Sequence, residues 1–115
     1  MIDWTRVEEL RDEIGADCFD EVVNLFLAEA GDVVTRLRDN PDVSRLAVDL
    51  HFLKGGVLNL GFVAVSHLCT EGESLASSGQ GDRFDITALV TTYEQSRLAF
   101  LTEYQSRLAV RASAG

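Results

Sequence analysis

His51, Lys54 and Gly55 stand at i, i+3 and i+4 of the run His51-Phe52-Leu53-Lys54-Gly55-Gly56-Val57-Leu58-Asn59-Leu60-Gly61, which reads as helix. Residues three and four apart share a helix face, so the lysine is a neighbour of the imidazole. Neutral imidazole is a nucleophile, and a flexible ammonium beside it reaches whatever becomes attached. A phosphoryl group fits that pairing. Phosphohistidine is anionic, and Lys54 offsets the charge through charge-assisted contacts. Of the ten basic residues, Lys54 is the one lysine.

On a helical wheel at about 100° per residue, Val43, Leu46, Leu50, Leu53, Val57 and Leu60 gather within roughly 100° as a core face. His51 falls about 130° from the centre of that face and points to solvent. Around it lie Ser44, Ala47, Val48, Gly55 and Leu58, where an outward face normally carries charge. From Leu50 to Thr70 the only formal charge is Lys54, so this stretch is either buried or meets a partner. Each mid-helix glycine costs about 1 kcal/mol relative to alanine. Gly55 projects on the His51 side and leaves room for another surface; Gly56, toward the back, has no account at this level. No Walker loop, kinase signature or magnesium-binding carboxylate cluster accompanies the histidine. A partner protein has to supply the metal and the rest of the reaction centre.

Apolar residues recur at spacings of three and four almost everywhere, and strand-type alternation is absent. Five helices are expected, over residues 4–14, 17–39, 41–60, 64–76 and 85–111. Asp3 caps the first and Gly15 ends it. Phe19, Val22, Val23, Phe26, Ala30, Val33, Val34 and Leu37 make the seam of the second. Pro41 takes the first position of the third. Val65, Leu68, Cys69, Leu75 and Ala76 face inward in the fourth. Ile86, Leu89, Val90, Tyr93, Phe100, Leu101, Tyr104 and Leu108 do so in the fifth. Long helices with short connections specify an all-α, antiparallel four-helix bundle, with the short N-terminal helix against one end. The 115 residues make one domain, with no internal repeat or parting linker.

The net charge of −9 argues against nucleic acid and anionic membrane, which need a positive footprint. No apolar stretch reaches about 18 residues, so no membrane span is expected. The N-terminus lacks a signal-peptide pattern, and a cytoplasmic location follows as the expectation. Cys18 and Cys69 have no metal-type spacing and read as reduced core thiols.

The run from His51 to Gly61 resembles the HxLKG…LG signature of histidine-containing phosphotransfer (HPt) domains, the intermediates of multistep phosphorelays. Phe26 matches the family's phenylalanine in the second helix, and Leu68-Cys69 followed by Glu73 resembles its LCxxLE pattern. The resemblance spans nearly the whole chain. It implies that His51 accepts a phosphoryl group on Nε2 from a receiver-domain aspartate and passes it to another. It further implies that Lys54 steadies the charge and Gly55 admits the receiver. Ala47, Val48, Phe52, Leu58 and Phe62 would form the apolar docking surface. The domain would be a phosphoryl carrier with no cofactor of its own and no ATP-dependent kinase activity, magnesium belonging to the receiver. Its partners would be receiver domains and a hybrid sensor kinase. Two positions depart from the pattern: Gly56 replaces serine or alanine, leaving the helix looser, and Gly72 replaces leucine, weakening packing of the fourth helix.

His67 lacks a lysine or glycine partner and reads as an ordinary flank residue. A metal site from His51 and His67 is disfavoured, because carboxylates are not expected around His51. Trp4 and Tyr93 read as packing residues, the acidic runs as solvated faces, and Ser77-Ser78 as loop. Two other classes stay open. One is a degenerate module of the same fold that binds receiver or kinase domains without carrying phosphate; the intact His51 and Lys54 argue against it. The other is a dimerising histidine hairpin of the sensor-kinase kind; enough helices to close a bundle within one chain favour a monomer. Starting at Met1 and filling one domain favours a free-standing protein over an excised module.

Overall fold

The computed structural model describes residues 2–114, and the side chains of residues 2–104, Ser106 and Arg107. The fold is all-α. Helix α1 spans Trp4–Ile14, α2 Ala16–Asp39, α3 Leu46–Asn59, α4 Val63–Ser77 and α5 Ile86–Ala114. Neighbours touch in the order α2–α3–α4–α5–α2, which closes a four-helix ring, and α1 packs on α2 and α3. Each helix turns an apolar stripe inward, since isolated helices are marginal in water and helices within proteins gain most of their stability from such packing. Phe19, Leu37, Leu50, Leu53, Val57, Phe62, Leu89, Tyr93 and Phe100 form the sealed centre.

Local chemistry sets the helix ends. The Asp3 carboxylate accepts the Arg6 amide, capping α1. Gly15, at φ +89°, is the single residue between α1 and α2 and takes a backbone conformation that L side chains avoid. At the far end of α3, Gly61 adopts φ +73° and its carbonyl accepts the Asp3 amide at 2.8 Å. A Cβ on Gly61 would come within 2.5 Å of the Asp3 carbonyl oxygen. The N-terminus is thereby clasped to the α3–α4 corner. Aromatic rings lock the same end: Trp4 stacks on Phe100 at 5.2 Å, and Phe62 meets Phe100 at 5.7 Å and Tyr93 at 6.1 Å. Arg107 lies 4.6 Å over Trp4, and the Tyr104 hydroxyl donates to Asp20.

The structure corrects several expectations. The third helix begins at Leu46, not at Pro41. Asn40 precedes proline and is steered out of helical geometry, and Asp42 is extended. The Asp42 carboxylate accepts from the Ser44 amide at 3.0 Å and the Ser44 hydroxyl at 2.6 Å. Those bonds hold a short 3₁₀ turn, Val43–Arg45, ahead of α3 and draw the Asp42 pKa below its ordinary value. Val43 is consequently exposed and outside the core face. Leu101 is also exposed; Leu108 lies outside the described side chains. Cys69 is buried as expected, but Cys18, in the first turn of α2, is exposed.

Gly72 does not weaken the packing of α4. It is buried, and a Cβ there would overlap the Leu50 side chain and reach within 2.8 Å of the Phe84 ring. Leu50 and Phe84 occupy the space that a larger residue would need, and α4 lies close against α3 at this level.

Candidate functional site

Helix α3 buries Leu46, Asp49, Leu50, Leu53 and Val57 and turns His51 outward, its side chain 77% exposed. The wheel placed it correctly. Two residues before it, Asp49 is the one buried carboxylate of α3. Its Oδ1 accepts from Arg36 Nη2 of α2 at 2.6 Å, pinning the start of the helix. A buried charge needs such a partner.

Glu73, on α4, joins the site from the next helix. Its Oε2 is 3.7 Å from His51 Nδ1 and its Oε1 is 3.1 Å from Lys54 Nζ. The expectation that carboxylates are absent around His51 is therefore corrected. Oε1 is sealed from solvent and the ammonium does not meet it along a hydrogen-bond direction, so the contact is an ion pair. The close approach at Gly72, one residue before, brings this carboxylate within reach of α3. The signal was present in sequence as the acid after Leu68-Cys69, but its partners belong to tertiary structure.

The electrostatics follow. A carboxylate beside Nδ1 favours the tautomer protonated there, which leaves the Nε2 lone pair free. Lys54 is about three-quarters buried and held on Glu73, within one helical turn of the imidazole. Cys69 lies in the same region, and burial, with Glu73 adding, pushes its thiol up to about 12. It stays a thiol and offers no competing nucleophile.

A Cβ on Gly55 or on Gly56 would meet nothing within 4 Å. Both border a hollow of about 340 Å³ beside His51, walled by Phe26 and Glu29 of α2 and by Phe52. Gly56, which had no account in the sequence, thus widens the same open floor. Asn59 closes its end: its amide donates to the Gly55 carbonyl at 3.3 Å, and its Oδ1 accepts from Arg6 Nη2 at 2.8 Å.

Val48, Phe52 and Leu58 are exposed at 63%, 53% and 48%, and Ala47 is half-buried. Phe62 is not a surface residue. It is fully buried, because it anchors the aromatic cluster with Tyr93 and Phe100; its neighbour Val63 is the exposed one. His67 is exposed on α4. Among the described residues no cluster of three or more histidine, cysteine or acidic side chains could hold a metal. No described helix is long and apolar enough to cross a membrane.

No curated protein and no solved structure matches the chain. A family model, the Hpt domain, matches residues 21–105, from the first turns of α2 into α5 and across His51, Lys54, Gly55 and Glu73. The chain therefore belongs to the Hpt domain family, whose role is histidine phosphotransfer in two-component signalling.

Proposed function

We propose that His51 is the phosphoacceptor of a phosphorelay intermediate. Nε2 attacks the phosphorus of a receiver's aspartyl phosphate. The N–P bond forms, the P–O bond to the aspartyl carboxyl breaks, and the carboxylate leaves with the electron pair. The reverse step delivers the group to a second receiver. The imidazole proton stays on Nδ1, facing Glu73 Oε2. Magnesium comes with the receiver. Lys54 turns from Glu73 toward the incoming phosphoryl oxygens, and the open floor at Gly55 and Gly56 admits the receiver. Ala47, Val48, Phe52 and Leu58 form the docking surface. The domain acts as a carrier and binds receivers as a monomer in the cytoplasm.

The observation that supports this reading best is the exposed imidazole beside a lysine–glutamate pair on a face otherwise apolar. The test is phosphotransfer from labelled, phosphorylated receivers to the intact chain. Acid-labile, alkali-stable label that disappears in His51→Gln is expected. Label that persists in that variant, or no label from any receiver, would sink the reading.

A further inference from the structure

We propose that Glu29 selects the partner by charge, taking a lysine or arginine of the receiver that docks over Phe52. The inference rests on the phosphocarrier reading above. Phe52 is a ridge between two hollows: the one beside His51, and a second of about 330 Å³ toward the start of α3. Glu29 of α2 borders both. It is exposed and makes no hydrogen bond or ion pair among the described residues. The other charged groups of the second hollow are Asp32, Arg36, Asp49 and Arg45. Arg36 is tied to the buried Asp49 at 2.6 Å, and Arg45 lies close enough to Asp42 to act on it electrostatically. Lys54, on α3 beside His51, is held by Glu73. Glu29 and Asp32, one helical turn apart, make no ion pair of their own, although Arg36 and Arg45 border the same hollow.

An apolar ridge by itself gives adhesion without much choice. A carboxylate that a partner must cover is different. Unpaired, it is penalised on losing water; matched by a cation, it speeds encounter and fixes register. Receivers that present an acid or an apolar group at this point are disfavoured, so one residue sorts partners. A net charge of −9 extends the same preference to long range.

The test uses purified receiver domains charged with acetyl phosphate and the full chain. For the receiver that transfers fastest, transfer rate is measured against receiver concentration with wild type, Glu29→Gln and Glu29→Lys, at low and high salt, after circular dichroism confirms folding. Glu29→Lys should raise KM about ten-fold, well beyond any fall in kcat, as expected for an interfacial charge pair. Glu29→Gln, near-isosteric, should raise KM less and flatten the salt dependence. A receiver whose matching lysine or arginine is replaced by glutamate should lose transfer with wild type and regain it with Glu29→Lys. KM values indistinguishable among the three forms at low salt, with no rescue by charge exchange, would make Glu29 a solvated surface charge and overturn the inference alone. Failure of wild type to accept label from any receiver would overturn the phosphocarrier reading beneath it.

Discussion

Lys54 and Glu73 are a half-sealed ion pair, Nζ to Oε1 at 3.1 Å, with the side chains 25% and 24% exposed. The one lysine of the chain is thus committed to a carboxylate before any phosphoryl group arrives. Lys54→Ala should slow transfer and also leave a buried carboxylate oxygen without its counter-charge. An uncompensated buried group costs about 1–3 kcal/mol. Urea unfolding should show a loss of that order in Lys54→Ala, largely recovered when Glu73→Gln is added. Transfer should not recover in the double variant, because the cation is still missing.

Phe52 and Phe62 should behave oppositely. Phe52→Ala should weaken receiver docking, seen by titration, with little change in melting temperature. Phe62→Ala removes a ring at the centre of the aromatic cluster, and truncations of that kind cost about 3–5 kcal/mol. A stability loss in the first variant and none in the second would contradict the assignment of surface and core.

Two glycines of the site region should also separate. Gly55→Leu projects into open space, so the fold should hold while docking fails. Gly72→Leu restores the leucine usual at that position of the family pattern, yet it collides with Leu50 and Phe84. Overpacking of this kind costs about 1–3 kcal/mol, readable as a lowered melting temperature.

The two thiols differ in reactivity. At pH 8 an aromatic disulfide reagent should titrate Cys18 quickly and Cys69 only on unfolding. The Cys69 thiol is raised in the folded chain, so the unfolded state loses that proton first. Its contribution to stability is therefore complete below the ordinary value of 9.0 and declines as pH climbs toward about 12. Cys69→Ala should flatten that alkaline decline in a denaturation series.

Much of this was legible in sequence, and the exceptions have causes. The first helix, Trp4–Ile14, follows from Asp3, Gly15 and the apolar stripe between them. His51 reads as outward because a wheel needs only the spacing. Pro41 misled because proline fits both a first helical turn and the residue before an extended link; the Asp42–Ser44 bonds decide it. Phe62 misled because, next to the motif, nothing in its own spacing tells corner core from rim. Gly72 and Glu73 needed the α3–α4 distance, which composition does not encode.

The hydrogen bonds from Arg6 to Asn59, and from Asn59 to the Gly55 carbonyl, have a mechanical side. Adjacent glycines are the most pliable point of α3, and they follow His51 by one turn. An external splint, eleven residues of α1 gripping the helix through one asparagine, braces that point without placing any side chain on the open floor. The N-terminal helix, which also buries Val7 and Leu10, then adds stiffness to α3. Arg6→Ala or Asn59→Ala should speed amide hydrogen exchange at Gly55 and Gly56 before it lowers the melting temperature, a softening felt where the imidazole must hold its aim.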